Sequence, residues 1–202
     1  MNPKQDGKTT THSLVIIALT TAIIAILTQI SVPSPTGVPV TLQTFAVALV
    51  GYMLLPKHSF YSILLYLLLG AIGFPVFTNF RGGLSHLVGL TGGFLWGYFI
   101  YAPLCGLGMK WTGVNREPTR RGRSNRKALD ACLAISCGTA GLFICHTTGT
   151  LQYAFLTSNS VTAAFTLVSL PYLFKDVLCV AAAYFLAKAL RSRLLKSGVK
   201  IE

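Results

Sequence analysis

The chain has 202 residues, of which 52% are hydrophobic and only five are acidic, and its mean hydropathy is +0.62. This composition is typical of an integral membrane protein and argues against a soluble domain. The formal net charge is +12, but the basic residues stand in the gaps between apolar runs, which indicates orientation in a bilayer rather than binding to nucleic acid. We expect an all-α membrane protein with one domain.

Six apolar runs approach the length of about 20 helical residues that a bilayer requires. The first is too long for the apolar part of a signal peptide, and no cleavage site follows, so we expect it to be retained. The second is marginal, because Thr41 and Gln43 occupy its first turn. A shorter run, residues 161–170, predicts an interfacial helix or a wall of the outer vestibule. The predicted spans are residues 14–32, 38–55, 59–77, 90–109, 128–151 and 171–190.

The basic residues orient these spans. If both termini are cytoplasmic, fifteen of the 17 lysines and arginines lie on the cytoplasmic side, seven of them in a loop of residues 110–127. An even number of spans satisfies the positive-inside rule, and an odd number does not. Only Arg81 and Lys175 then lie on the outer side. We therefore predict a multi-pass protein of the cytoplasmic membrane with both termini inside.

The segment from Gly70 to Tyr98 interrupts the apolar pattern between the third and fourth spans. Pro75 prevents a continuous helix, Asn79 and Arg81 are polar, and five glycines between residues 82 and 93 each lower helix stability by about 1 kcal/mol. Irregular backbone beside membrane spans is stable only where it is wet or covered by protein. The segment predicts a re-entrant or capping loop over a polar site.

The sixth span carries a candidate ligand-binding carboxylate. A helix over this span puts Tyr172, Asp176 and Cys179 on one face. A charge inside the membrane costs about 2.5–3.5 kcal/mol on insertion scales, so Asp176 must face a partner or a water-filled cavity. It either belongs to a ligand site or forms an ion pair with Arg81 or Lys175 that fixes the capping loop.

Residues at two other span entrances can face the same site. Thr41 and Gln43 begin the second span, where they either contact a ligand or serve only as an N-cap and a snorkelling side chain. Thr91 and Gly92 open the fourth span, where free backbone N–H groups can meet an anion or a carbonyl. Alternatively, the threonine is only a cap and the glycine only permits close packing. We interpret His146 as a satisfied core histidine.

Several motifs are absent. The sequence contains no P-loop, HExxH, GxSxG or paired-carboxylate pattern, so we expect no enzymatic activity. The five cysteines lie inside apolar runs and lack metal-ligand spacing, so we expect neither a metal site nor a cofactor. In the first span, Ala18 and Ala22 form a small-xxx-small face that either packs internally or docks a partner.

Residues 38–98 contain the motifs TLQT, LLLGAIG-PVF and TGG, and residues 170–176 read LPYLFKD. In these motifs the sequence resembles the BioY family, the substrate-binding S components of energy-coupling factor (ECF) biotin transporters. The resemblance implies a six-helix fold with an outward-facing biotin pocket under the loop between the third and fourth spans. It also implies two kinds of partner, a transmembrane T component and a pair of cytoplasmic ATPase subunits.

The resemblance also implies roles for single residues. Asp176 matches an aspartate of the family that helps to hold the ligand ring, and Asn79 matches an asparagine of the capping loop. Ala18 and Ala22 match the face that docks the T component.

The chain departs from the family pattern in the last span. The family commonly has Gly-Asp-x-x-Lys there, whereas this chain has Lys175 before Asp176 and Cys179 in place of the usual lysine. Biotin offers ureido N–H donors at one end and a carboxylate at the other, so a carboxylate and a cation suit it. We hypothesise that Arg81 or Lys175 supplies the missing cation.

Two other functions are compatible with the sequence. The first is a stand-alone biotin facilitator, or a carrier for a related vitamin, which needs no ATPase subunits. The second is a membrane module without transport activity that binds partners through its first span and binds no vitamin.

Overall fold

The computed structural model describes residues 3–35, 38–112 and 123–196. Most of the predicted basic loop, residues 110–127, lies outside these ranges. The described helices are α1 (Pro3–Thr28), α2 (Gln43–Met53), α3 (Pro56–Ala71), α4 (Leu84–Val88), α5 (Gly92–Trp111), α6 (Arg123–Thr157), α7 (Val161–Val168) and α8 (Leu170–Lys196). Two short antiparallel strands, β1 (Ser31–Val32) and β2 (Val40–Thr41), join α1 to α2.

α2 is the central helix. Nine of its 11 residues are buried, and it contacts α1, α3, α5 and α8. An apolar sequence on all sides suits a helix that other helices enclose. The helix is shorter than the apolar run 38–55 because the residues before it form β2, in which Thr41 pairs with Ser31 of β1.

α5 and α6 share the most extensive helix contact in the described part of the chain. Gly97 permits this approach, since a Cβ on it would lie 2.6 Å from the Cα of Cys145. Small residues let membrane helices pack with their backbones close together. α8 closes the core with Val180, Ala183, Tyr184 and Ala187, which are fully buried.

The outer faces of the helices are apolar. Leu19 of α1, Phe155 of α6 and Phe174 of α8 are 61%, 84% and 77% exposed, an arrangement that lipid stabilises and water does not. Among the described residues, two helical stretches are long and apolar enough to cross a membrane, Thr11–Thr28 and Ala128–Thr157. The lipid-facing surface therefore follows from the same pattern that predicted the spans.

α1 presents its alanines outward. Ala18 and Ala22 are exposed, so the alternative in which they pack internally is wrong. Instead, the inward face of α1 carries Thr20 and Thr21, and Thr20 Oγ1 lies 2.8 Å from Ser62 Oγ of α3. The polar pairing with α3 decides which face of α1 is buried.

The capping loop contains more regular structure than its glycines predict. α3 ends at Ala71 because Gly73 adopts a φ of 103° and Pro75 follows, so the helix does not reach the end of the predicted span 59–77. Phe77 and Arg81 then form an antiparallel bridge around a 3₁₀ turn, and the short helix α4 follows. The segment is a folded cap rather than an irregular loop.

The two neighbouring alanines of α8 test the burial pattern. Ala183 is fully buried and Ala182 is exposed. We predict that Ala183→Leu lowers the free energy of unfolding by about 1–3 kcal/mol, because the core has no room for the added carbons. The matched control Ala182→Leu should change it by less than about 0.5 kcal/mol. Unfolding in detergent micelles measures both, and equal effects would contradict this orientation of α8.

Candidate ligand-binding site

A cavity of about 430 Å³ lies beneath the cap, between α2, α5, α6 and α8. Its volume falls within the range of about 300–1,000 Å³ that is usual for small-molecule sites. Most of the binding residues predicted from the sequence surround it. Those that line it are Thr41, Gln43, Asn79, Arg81, Thr91, Tyr172, Lys175 and Asp176.

Asp176 presents a buried carboxylate to this cavity, with only 3% of the residue exposed. Thr44 Oγ1 donates to Oδ1 at 2.6 Å, Lys175 Nζ forms an ion pair with the same oxygen, and His146 Nε2 lies 3.2 Å from Oδ2. A buried charge is stable only with such partners, because its transfer out of water costs several kcal/mol. The carboxylate is therefore held by three elements, α2, α6 and α8.

The two candidate cations differ in their surroundings. Lys175 is partly buried, and its Nζ also donates to the carbonyl of Thr41 at 2.8 Å. Arg81 is exposed on the cap, and its guanidinium forms no hydrogen bond or ion pair with the residues described. Asp176 thus pairs with Lys175 and not with Arg81, so this ion pair does not fix the cap.

Gln43 is a buried residue of the cavity wall. It is 7% exposed, and its Nε2 donates to Tyr66 Oη at 2.8 Å, so the snorkelling alternative is wrong. Tyr66 in turn donates to the carbonyl of Val76 in the cap at 3.2 Å. Thr41 Oγ1 accepts from the backbone N–H of Gln43 at 3.3 Å, as a side chain near a helix N-terminus can.

Asn79 occupies the 3₁₀ turn of the cap in the left-handed region, with a φ of 60°, which asparagine tolerates better than most residues. Its Oδ1 accepts from Ser31 Oγ of β1 at 2.7 Å. Next to it, the Phe80 amide donates to Gln29 Oε1 at 2.8 Å, and Gln29 Nε2 donates to the Val76 carbonyl at 3.3 Å. The cap is thus attached to the end of α1 and to the hairpin.

Gly92 lies outside the cavity wall. Its amide donates to the carbonyl of Gly89 at 3.0 Å, and a Cβ on it would lie 1.9 Å from the carbonyl oxygen of Leu87. Close packing is therefore its role, and the prediction of a free N–H group there is wrong. Thr91 is the N-cap of α5, but its side chain makes no capping hydrogen bond and lines the cavity instead.

Two residues around Asp176 were not predicted from the sequence to belong to the site. Thr44 belongs to the TLQT motif, of which only the first and third residues were predicted to contact a ligand. His146 was interpreted as a satisfied core histidine; it is buried and both ring nitrogens have partners, but it also lines the cavity and contacts the carboxylate. Thr150 lies one helical turn after His146 on a largely apolar helix. This polar pair on one helix face was the sequence feature that could have indicated a site.

The sequence profile of the BioY family matches residues 1–196. The chain belongs to the BioY family. This family membership confirms the resemblance seen in the sequence motifs, and the chain is a membrane transporter component. The orientation of its termini stays a prediction.

Three relatives are similar to this BioY-family chain over most of their own length. Biotin transporter BioY2 of Lactococcus lactis is 36% identical over 167 residues, which cover 83% of each chain. The probable biotin transporter BioY of Pyrococcus horikoshii is 35% identical over 87% of this chain and 94% of its own. Biotin transporter BioY of Thermotoga maritima is 32% identical over 89% of this chain and 96% of its own.

A solved structure shares the fold of this BioY-family chain. The crystal structure of the S-component for biotin from an ECF-type ABC transporter superimposes with a TM-score of 0.75 over 95% of each chain, at 22% sequence identity. The predicted helical S-component fold is therefore confirmed.

Proposed function

We propose that this chain binds biotin at the outer side of the cytoplasmic membrane as the substrate-specific S component of an ECF-type ABC transporter. The observation that carries the proposal is the cavity under the folded cap, into which the buried carboxylate of Asp176 projects. The names of the relatives that match over most of their length support the same ligand. ATP hydrolysis then belongs to separate cytoplasmic subunits.

The polar groups of the cavity suit the two ends of biotin. Asp176 accepts hydrogen bonds from the ureido N–H groups, because a carboxylate is an acceptor only. Asn79 and Gln43 carry amide groups that both donate and accept. Arg81 on the cap suits the carboxylate of the valerate chain, with which a guanidinium can pair in a bidentate manner.

Apolar side chains of the cavity suit the rest of the ligand. Phe77 of the cap, Phe94 and Leu95 of α5 and Tyr172 of α8 line it. Small-molecule sites are mostly apolar, with few polar groups that set orientation. These rings and aliphatic groups enclose the thioether ring and the methylene chain.

The transport cycle involves the cap and α1. The segment from Gly70 to Gly93 closes over biotin, and the subunit then reorients in the complex for release into the cytoplasm. Ala18 and Ala22 leave a smooth, exposed strip on α1, which a helix of the T component can approach closely. Both termini lie in the cytoplasm in this arrangement.

Ligand titration tests the substrate. We predict that the purified protein in detergent binds biotin saturably and also binds desthiobiotin, which keeps the ureido ring. Lipoate lacks the ureido donors and should not bind, and thiamine should not bind either. Isothermal titration calorimetry measures all four. If none binds, the proposal is wrong; biotin uptake by proteoliposomes that lack ATPase subunits would instead support a stand-alone facilitator.

Alanine substitutions test the candidate cations. We predict that Arg81→Ala or Lys175→Ala weakens biotin binding by about tenfold, because each removes a charged hydrogen-bond donor worth about 1.5–3 kcal/mol. Lys57→Ala is the matched control, since Lys57 is exposed and does not line the cavity. Titration calorimetry measures the three variants. If neither cavity variant loses more than threefold in affinity, the hypothesis of a replacement cation fails.

Larger side chains on α1 test the docking face. We predict that the double variant Ala18→Leu/Ala22→Leu no longer co-purifies with a co-expressed T component and its ATPases, because the added side chains keep the helices apart. Biotin binding should be unchanged, since both alanines lie outside the cavity. Ala182→Leu on the exposed face of α8 is the control. Equal recovery of the complex from both variants would place the docking face elsewhere.

A further inference from the structure

A chain of hydrogen bonds leads from α6 to the carboxylate in the cavity. His146 and Thr150 are each 3% exposed on α6, and Ser169, between α7 and α8, is fully buried. Ser169 Oγ lies 2.7 Å from Thr150 Oγ1 and 3.1 Å from His146 Nδ1. The other ring nitrogen, Nε2, lies 3.2 Å from Asp176 Oδ2. Both nitrogens of the histidine are therefore engaged.

Asp176, at the end of this series of hydrogen bonds, determines which group donates in each bond. Because an ionised carboxylate only accepts, the proton must be on His146 Nε2. In the neutral ring Nδ1 is then an acceptor, so the Ser169 hydroxyl donates to it and accepts from Thr150. A partner on one ring nitrogen commonly fixes the tautomer and orientation of a functional histidine. The ring cannot turn over without the loss of two hydrogen bonds.

The second oxygen of Asp176 depends on this ring. Thr44 and Lys175 both bond Oδ1, and among the described residues His146 alone bonds Oδ2. Cys179, one turn further along α8, does not help, because it lines a lateral groove between α2 and α8 rather than the cavity. Residues of α2 and α8 therefore hold one side of the carboxylate, and a residue of α6 holds the other.

We propose that His146 is a positioning residue that fixes the plane of the Asp176 carboxylate and so sets the affinity for a ligand with paired N–H donors. This inference rests on the proposed function, because the ureido ring supplies such donors. The imidazole and the ring of Phe94 form a T-shaped pair with centroids 5.7 Å apart, and Phe94, which lines the cavity, limits the movement of the imidazole. Ser169 and Thr150 act through His146 and need not touch the ligand.

Three substitutions of His146 separate its hydrogen bonds from its bulk. His146→Gln can place an amide donor near the position of Nε2 and so keeps the bond to Asp176. His146→Asn reaches only toward Ser169, and His146→Phe keeps the ring but makes neither bond. Biotin affinity is measured by titration calorimetry, and the thermal midpoint of each variant in detergent is measured alongside.

The Gln variant should bind biotin within about threefold of the wild type, and the Asn and Phe variants should lose about tenfold or more, since a hydrogen bond to a charged group is lost. Similar midpoints for Gln and Asn would show that the difference is not one of folding. Asn and Phe variants that bind like the wild type overturn the inference, as does a Gln variant as weak as Asn.

Ser169→Ala is the second test and leaves the imidazole in place. It should weaken biotin binding measurably, by about threefold, because the ring loses the donor to Nδ1. Unchanged affinity overturns the part of the inference that concerns Ser169, and it decides the matter if the His146 variants do not fold. If wild-type protein fails to bind biotin, the proposed function is wrong; if it binds and only these variants contradict expectation, the inference alone is wrong.

Discussion

The buried carboxylate of Asp176 is the point on which the arrangement of the helices depends. Its partners Thr44, His146 and Lys175 come from α2, α6 and α8, so one charge joins three elements that are far apart in sequence. Removal of one partner of a buried ion pair typically costs about 3–5 kcal/mol, whereas the intact pair adds little stability. Such a group specifies which helices meet and gives the cavity a charged wall.

Much of the fold could be predicted from the sequence, because long apolar runs and the placement of basic residues are strong signals in membrane proteins. These signals indicated a helical membrane protein, and the resemblance of the motifs implied the family and its S-component fold. Helix ends were less accurate. α2 is shorter than its apolar run because of the pairing of β1 and β2, and the cap folds around the bridge of Phe77 and Arg81. Both features depend on contacts that a linear pattern does not contain.

The candidate site was predictable where a residue is conspicuous for its polarity. Asp176, Arg81 and Lys175 stood out because charges are rare on the predicted outer side, and all three line the cavity. His146 was not predicted as a site residue, because a single histidine in an apolar helix is usually a core residue. Gly92 misled for the opposite reason: its position at a helix start suggests a free amide, and only the fold shows that Gly89 already accepts from it.

Gln29 gives α1 a mechanical role. Its side chain bonds the cap at Val76 and at Phe80, and it directly follows the helix that exposes Ala22. Gln29 lies seven positions after Ala22 and directly follows the last residue of α1, which corresponds to a rise of about 10 Å. A helical segment of this length is stiff, so a tilt of α1 at Ala22 would also move the side-chain amide of Gln29 that bonds the cap. The end of α1 and the cap are therefore joined through this one side chain.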